Sequence, residues 1–258
     1  MIAVYSETPK NGTNIGFSTT PPFNANSDYE AINSYFERLS LDELLSWGLS
    51  TFGRKMALVT SFGPTGMVIL DRLANLCPGV RVITVDTDFL FEETYALREQ
   101  VQRRYPIQLE VRKSGLTPAL QELAYQPQLW QVNPDLCCHM RKVVPLAGAL
   151  AGLEAWLTGL RRDQGASRVT APLISWDAKY NLVKLNPLAN WTRGQVWGYL
   201  LENEVPYNRL HDQGYTSIGC THCTRPMSQS GDERAGRWPG SGKTECGLHL
   251  QAAGQIPR

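Results

Sequence analysis

The 258-residue sequence lacks a hydrophobic run long enough to cross a membrane. Its longest weakly polar stretch, Val143 to Leu157, is interrupted by Pro145 and Glu154 and is shorter than the roughly 20 apolar residues of a spanning helix. The first residues also lack the basic and apolar segments of a secretory signal. We therefore expect a cytoplasmic protein that has no membrane partner.

The sequence also lacks an excess of charge of either sign. Its 25 Lys and Arg residues nearly balance its 24 Asp and Glu residues, which gives a formal net charge of +1. A general nucleic-acid-binding protein carries a basic patch, so this balance argues against a nucleic-acid partner. Residues 141–193 are nevertheless basic, with eight basic and three acidic side chains. We expect an anionic ligand near that stretch.

Apolar runs of strand length alternate with helical patterns along most of the chain. The predicted strands are residues 55–60, 80–85, 107–111, 155–159 and 182–185. The predicted helices are residues 29–38, 40–47, 67–76, 91–105, 139–150 and 192–202. This alternation predicts an α/β fold, with a twisted parallel sheet whose ligand crevice lies at the carboxyl ends of the strands.

Polar segments follow three of the predicted strands. The loop Ser61 to Gly66 precedes a helix N-terminus, where free amides and the helix dipole favour an anion, although many α/β turns of this composition bind nothing. Thr87 and Asp88 could hydrogen-bond a ribose or base, or cap the next helix. Arg161 and Arg162 could grip a phosphate or sulfate through their donor forks, or remain surface charges.

Six cysteines in a reducing compartment indicate metal or redox chemistry rather than disulfides. Cys220 and Cys223 have the C-x-x-C spacing that lets two thiolates face one centre, and a tetrahedral sulfur site needs two more ligands. The adjacent Cys137 and Cys138 are the candidates. Spacing alone does not separate zinc from an iron-sulfur cluster, but a zinc site more often has two C-x-x-C pairs, so the pattern favours iron-sulfur.

The two remaining cysteines have different expected roles. Cys246 lies between Lys243 and His249, whose positive character would lower its pKa, so it is either a nucleophile or an ordinary surface thiol. The Gly- and Arg-rich residues 234–243 predict a flexible arm that delivers it. Cys77 is predicted to be a buried core residue.

Together these motifs resemble the thioredoxin-dependent assimilatory adenylyl-sulfate (APS) reductases, PP-loop proteins related to the phosphoadenylyl-sulfate (PAPS) reductases. The similar segments are the Ser61 loop, Asp86-Thr87, Cys137-Cys-x-x-Arg-Lys142, Thr158-Gly-x-Arg-Arg-Asp-Gln164, Cys220-x-x-Cys223, Arg-Ala-Gly-Arg-Trp238 and Glu245-Cys-Gly-Leu-His249. The resemblance implies an adenine nucleotide alpha hydrolase-like fold. Residues 1–27, rich in Asn, Thr, Ser, Pro and Gly, are predicted to be a mobile leader, followed by a PP-loop domain (residues 28–215) and a C-terminal redox segment (residues 216–258).

The resemblance also implies a reaction and its residues. Cys246 would attack the sulfur of APS and release AMP, and an external thioredoxin or glutaredoxin would then free sulfite. The paired cysteine motifs would hold a 4Fe-4S cluster through Cys137, Cys138, Cys220 and Cys223. The implied substrate-binding residues are Ser61, Gly63, Thr87, Lys142, Arg161, Arg234, Arg237 and His249. Lys142 would lie between cluster and substrate.

The sequence departs from the family pattern in two places. The first loop has Gly63, Pro64 and Met67 where a second serine and an acidic residue are usual. Magnesium-ATP chemistry is therefore not expected, because the carboxylate ligand for Mg²⁺ is missing. Pro64 also removes one amide donor from the loop. Asp88 and Glu92 replace a usual glycine and proline, and an acidic group that faced the ribose would disfavour a 3'-phosphate.

Three alternatives to an APS reductase stay open. The nearest is the same reaction on PAPS, or on both nucleotides. A PP-loop thiolation enzyme acting on RNA and a non-enzymatic zinc or redox module are the others. The oligomeric state also stays open, and a homo-oligomer is compatible with the sequence.

Overall fold

The computed structural model describes residues 23–227 and 232–249. Residues 1–22 of the predicted leader and residues 250–258 of the predicted C-terminal segment lie outside the described residues. The strands form one six-stranded sheet in the order β3-β2-β1-β4-β6-β5. They are β1 (Met56–Val59), β2 (Arg81–Asp86), β3 (Gln108–Lys113), β4 (Ala155–Thr158), β5 (Ile174–Asp177) and β6 (Leu182–Leu185).

Helices occupy most of the connections between the strands. They are α1 (Tyr29–Phe36), α2 (Leu41–Phe52), α3 (Pro64–Leu76), α4 (Glu92–Arg104), α5 (Pro118–Ala124), α6 (Leu129–Val132), α7 (Pro134–Cys138), α8 (Val144–Leu150) and α9 (Arg193–Glu202). A π-helical turn, His139–Val143, joins α7 to α8. None of the helices in the described ranges is long and apolar enough to cross a membrane.

The two faces of the sheet are covered by different helices, as the α/β prediction requires. Leu58 and Val82 face a core built with α1, α2, α3 and α9, whereas their neighbours Ala57 and Ile83 face a smaller core built with α8. Successive residues of a strand point to opposite faces, so four-residue strands such as β1 can be buried on both sides. The predicted fold class is confirmed.

One edge of the sheet differs from the prediction of parallel strands alone. β5 pairs antiparallel with β6, with Ile174 opposite Leu185 and Asp177 opposite Leu182, and forms a hairpin. The sequence reasoning missed β5 because Ile-Ser-Trp-Asp is short and has polar residues at alternate positions. The other neighbours in the sheet pair in parallel.

Local signals predicted some details and failed for others. The capping box of Ser40 and Glu43 is present, although α2 extends beyond the predicted end at Trp47 to Phe52. Thr192 caps α9 as expected. Cys77 is only partly buried, contrary to prediction, because it lies at the C-terminal cap of α3. Residues 234–243 are irregular, and their Trp238 is buried against the C-x-x-C segment.

Candidate active site

Most of the predicted catalytic and substrate-binding residues line a cavity at the carboxyl ends of β1, β2 and β4, which we call the central cavity. Among its lining residues are Cys246 and seven of the eight predicted substrate-binding residues, namely Ser61, Gly63, Thr87, Lys142, Arg234, Arg237 and His249. This is the edge of the sheet where ligands of parallel α/β folds bind. Residues far apart in the sequence therefore meet at the position that topology predicts.

The loop after β1 reaches the cavity through an unusual backbone path. Phe62 has a φ of +59°, a region that bulky residues rarely adopt, and its side chain is buried. Gly66 lies so close to the side chain of Thr60 that an added Cβ would collide with it, and a Cβ on Gly159 would meet the backbone of Gly66. Glycine at both positions lets the loop lie against the end of β4.

Pro64 weakens the anion-binding capacity of this loop less than its missing N–H donor suggests. It is the first residue of α3, a position whose N–H has no partner inside a helix. The amides of Thr65 and Gly66 in the same turn also lack intrahelical acceptors, so they remain as donors at the cavity. The helix N-terminus keeps its capacity to bind an anion.

Arg161 is the predicted substrate-binding residue that the structure does not bring to the cavity wall. Its guanidinium is 1% exposed and donates to Thr65 Oγ1 at 2.5 Å, Asp163 Oδ1 at 2.9 Å and Glu233 Oε2 at 2.6 Å. Its neighbour Arg162 bonds the carbonyl of Ala171 and other surface groups. Arg161 thus ties the start of α3 to the C-terminal segment.

Cys246 lies among positive charges in the central cavity. Burial alone would raise the pKa of its thiol, but Lys142, the Leu248 amide, Arg237 and Arg234 outweigh burial, and the pKa is lowered. A lowered pKa increases the thiolate fraction, and the thiolate is the nucleophilic form. The site therefore contains an activated sulfur nucleophile beside a row of cations.

His249 lines the central cavity together with Cys246. Its ring stacks on Trp156, with centroids 5.7 Å apart, and its Nδ1 is buried without a partner among the described residues. Burial, reinforced by Lys184 and Arg168, holds the pKa of His249 well below its usual value. The imidazole is therefore neutral near pH 7 and contributes hydrogen bonding rather than charge.

The four cysteines of the paired motifs lie together beside the central cavity. Cys138, Cys220 and Cys223 pack against one another, and together with Cys137 they line a second, smaller cavity. Burial raises the pKa of Cys137 to about 12, and the charges of the other thiolates add to this effect. The thiolate form of Cys137 thus needs a compensating positive group.

The thiols border this cavity instead of converging on a point. Within residues 23–227 and 232–249, no three His, Cys, Asp or Glu side chains are arranged as ligands of one metal ion. Lys142 lines both the small cavity and the central cavity. Burial opposes its positive charge, but the thiolates of Cys220, Cys138 and Cys246 outweigh burial and raise the pKa of Lys142. Lys142 thus stays protonated between the two cavities.

Thr87 and Asp88 do not cap the next helix, which has Phe91 at its N-cap. The Thr87 hydroxyl lies 3.3 Å from Cys220 Sγ. The Asp88 carboxylate pairs with Lys113 at 2.6 Å and with Arg141 at 3.1 Å. Two cations of the same chain therefore compensate the charge of the Asp88 carboxylate, which reduces the repulsion that it could exert on a 3'-phosphate.

Comparison with known proteins assigns the family. Residues 55–226, which include the three polar strand-end segments and the C-x-x-C motif, match the phosphoadenosine phosphosulfate reductase domain. The chain belongs to this reductase family. The resemblance inferred from the motifs is confirmed.

Curated members of the reductase family align with most of the chain. The adenosine 5'-phosphosulfate reductase of Halalkalibacterium halodurans is 45% identical over 219 residues, which are 84% of this chain and 95% of that protein. The phosphoadenosine 5'-phosphosulfate reductase of Gloeobacter violaceus is 43% identical over 85% of this chain and 92% of its own length. A crystal structure of PAPS reductase from Candida auris, a phosphate complex, matches with a TM-score of 0.69 and 34% identity over 80% of this chain and all of that one.

This member of the reductase family contains one site feature that sequence reasoning missed. Arg168 lines the central cavity and binds Glu245 through two bonds, Nε to Oε1 at 2.7 Å and Nη2 to Oε2 at 2.9 Å. Arg234 adds a third bond to the same carboxylate at 3.1 Å. These charges lower the pKa of Glu245 although burial opposes them. Arg168 sits in an Ala-Ser-Arg turn without any recognisable motif, so no local signal marked it.

Proposed function

We propose that this protein reduces adenylyl sulfate to sulfite and AMP, in sulfate assimilation in the cytoplasm, with thioredoxin or glutaredoxin as reductant. The observation that carries the proposal is Cys246, a thiol of lowered pKa in the same cavity as the loop at Ser61. A nucleophile beside an anion-binding loop fits transfer of a group from a nucleotide phosphate. The neighbouring Lys142, Arg234 and Arg237 fit the charge of a phosphosulfate.

The chemistry follows from this arrangement. The Cys246 thiolate attacks the sulfur of the phosphosulfate, a sulfur–sulfur bond forms, and the sulfur–oxygen bond to the phosphate breaks. AMP leaves with the electron pair of the broken bond, and its developing charge is stabilised by the nearby guanidinium groups. A thiolate of the reductant then attacks Cys246 Sγ and releases sulfite. The second thiol of the reductant resolves the mixed disulfide and returns Cys246 to the thiol.

The cysteine cavity supports a 4Fe-4S cluster as the resident cofactor, held by Cys137, Cys138, Cys220 and Cys223. The donor set fits because it consists of four buried thiols, and burial raises the pKa of Cys137, Cys138 and Cys223, so that their thiolate forms need positive charge. Thiols that border a cavity suit a cluster better than a single zinc ion. The cluster would neutralise these thiolates without net electron transfer to substrate. Lys142, which lines both cavities, couples the charge of that region to Cys246 electrostatically.

A second candidate is the same reaction on PAPS, because one close relative, from Gloeobacter violaceus, is a phosphoadenosine 5'-phosphosulfate reductase.

One experiment tests both candidates. Protein purified without oxygen is assayed for iron and sulfide, and for sulfite release from APS and from PAPS with reduced thioredoxin. We expect a brown protein that uses APS. Faster turnover of PAPS would favour the second candidate, and no sulfite from either nucleotide would refute both.

A further inference from the structure

The loop that follows β2, residues 87–90, contacts the C-x-x-C segment; we call it the β2 loop. The Thr87 hydroxyl lies 3.3 Å from Cys220 Sγ, and the Phe89 carbonyl accepts a hydrogen bond from the Thr221 amide at 2.8 Å. An antiparallel bridge between the last residue of the loop and Cys220 adds to these contacts. The position of the C-x-x-C motif therefore depends on the position of the β2 loop.

Arg141 contacts the same loop from the side of the other cysteine motif. It follows Cys138 by three residues, in the π-helical turn, and is 1% exposed. Its Nη1 donates to the Thr87 carbonyl at 2.9 Å, and its Nε donates to Gln121 Oε1 at 2.7 Å. Its Nη2 lies 3.4 Å from the Leu116 carbonyl. These acceptors are uncharged, and a buried charge is costly unless an opposite charge compensates it.

Asp88 supplies the opposite charge. Its Oδ2 accepts from Arg141 Nη1 at 3.1 Å, and its Oδ1 accepts from Lys113 Nζ at 2.6 Å. The Lys113 side chain is 52% exposed, so the pair with Arg141 is the more deeply buried of the two. Asp88 has a φ of +60°, a region that residues with a side chain seldom adopt, although Asp tolerates it better than most. Backbone strain of this kind persists where surrounding contacts compensate it.

The pairing of Asp88 directs its carboxylate to the cysteine side of the β2 loop. Within residues 23–227 and 232–249, the lining of the central cavity includes Thr87 and Leu90 but not Asp88. Arg141, in contrast, lines the small cavity together with all four cysteines of the paired motifs. An effect of Asp88 on those cysteines therefore passes through Arg141.

We propose that the ion pair of Asp88 and Arg141 joins the two cysteine motifs and keeps their thiols together at the small cavity. Both are positioning residues, because neither supplies a thiol. The inference rests on the cofactor site of the proposed function, since the four thiols are its donor set. It gives Asp88 a role in cofactor retention that is separate from nucleotide binding.

Hydrogen exchange of the full-length protein, measured by mass spectrometry, tests the pair directly. Asp88→Asn keeps the shape, one acceptor oxygen and the tolerance of positive φ, so it removes only the charge. Exchange of residues 139–143 and 219–223 should accelerate about tenfold, because the buried guanidinium loses its compensating charge. Exchange of residues 193–202, in α9, should stay unchanged.

Two further variants serve as controls for Asp88→Asn. Lys113→Met removes the exposed partner of Asp88 and leaves the buried pair, so exchange of residues 139–143 and 219–223 should change by less than about twofold. Asp88→Glu restores the carboxylate on a longer side chain and should recover part of the lost protection. A role of Asp88 in backbone shape alone predicts no such difference between Asn and Glu.

Iron retention is the second measurement. Protein purified without oxygen is mixed with an iron chelator, and loss of iron is followed over time. Asp88→Asn should lose iron about tenfold faster than the unchanged protein, whereas Lys113→Met should lose it at the parental rate. In an Arg141→Gln protein, adding Asp88→Asn should change neither measurement by more than about twofold, because Asp88 acts through Arg141.

Several outcomes would overturn the inference. Equal exchange of residues 139–143 and 219–223 in Asp88→Asn and Lys113→Met would do so, as would additive effects of Asp88→Asn and Arg141→Gln. Faster exchange that extends equally to residues 193–202 would indicate a general loss of stability instead. Thermal unfolding checks that each variant is folded. If Arg141→Gln is not, the comparison of Asp88→Asn with the Lys113 and Glu controls decides.

The same preparations separate this inference from the proposed function. If the unchanged protein contains iron and forms sulfite from APS, but Asp88→Asn alters neither exchange nor iron loss, the inference alone fails. If the unchanged protein contains no iron, the proposed cofactor fails, and hydrogen exchange still decides whether the pair joins the cysteine motifs. Weaker AMP binding by Asp88→Asn with unchanged exchange would assign Asp88 to the nucleotide site and overturn the inference.

Discussion

Glu245→Gln tests whether a buried ion pair holds the nucleophile in place. Glu245 precedes Cys246, is 7% exposed, and accepts two bonds from Arg168 and one from Arg234. The amide of Gln has nearly the same shape but no charge, and its NH2 group faces a guanidinium with a second donor. The substitution therefore leaves the positive charge of the buried Arg168 uncompensated.

The expected magnitude follows from the burial of both partners. Removing one member of a buried pair costs roughly 3–5 kcal/mol, and the retained oxygen of Gln places this change near the lower end. Because the partners join residues 232–249 to the loop after β4, the loss should appear mainly as local opening of the C-terminal segment. Each 1.4 kcal/mol is a factor of ten, so hydrogen exchange of residues 244–249 should accelerate about a hundredfold.

Hydrogen exchange measured by mass spectrometry, with a matched control, decides the outcome. Glu154→Gln makes the same chemical change in the pair with Lys55, whose side chains are 46% and 61% exposed. That surface pair should contribute less than about 1 kcal/mol. Equal exchange of residues 244–249 in the two variants would refute the role assigned to Glu245.

Four further predictions follow from the site. Lys142→Met should raise the pKa of Cys246 and slow its sulfonation by APS at pH 7 about tenfold, with recovery at higher pH; a parental rate at pH 7 would contradict this. Arg161→Lys should lower the thermal midpoint and leave AMP affinity intact in folded protein, since its bonds go to Thr65, Asp163 and Glu233; weaker AMP binding with an unchanged midpoint would contradict its bracing role. Lys179→Met should remove the 2.5 Å bond to the Gly247 carbonyl and lower the sulfonation rate about tenfold or less, without changing AMP affinity; an unchanged rate would show that this bond does not position Cys246. The folded-state pKa of Glu245 is lowered from its usual value near 4.5, so its stabilising contribution is complete above that pH and is lost as the pH falls through the folded-state pKa. The free energy of unfolding should therefore fall less steeply with acidification in Glu245→Gln than in the unchanged protein. Identical pH dependence in the two proteins would exclude this contribution.

Local patterns predicted the elements that build the site, because strand and helix periods are properties of adjacent residues. The loop at Ser61 and the end of β2 at Asp86 were placed correctly, since parallel strands bring their carboxyl ends to one edge. β5 was missed because its four residues gain their strand conformation from pairing with β6.

The partners of individual charged side chains were harder to predict. Arg161 looked like an anion-binding residue because it follows a strand, yet it binds Glu233, 72 residues away. Arg168 shows the opposite error, because nothing nearby in the sequence distinguishes it as a site residue. Its partner, Glu245, lies 77 residues away. Such pairings depend on long-range packing, which no local pattern encodes.

The central claim is that Cys246 takes the oxidised sulfur from the nucleotide. Intact-mass measurement after APS addition without reductant tests it most directly, with the adduct located by fragmentation and AMP measured in the same sample. The account predicts one sulfonate on Cys246, one equivalent of AMP, and no adduct on Cys246→Ser. A Cys246→Ser protein that still acquires the sulfonate, or unchanged protein that releases AMP without acquiring it, would contradict the account.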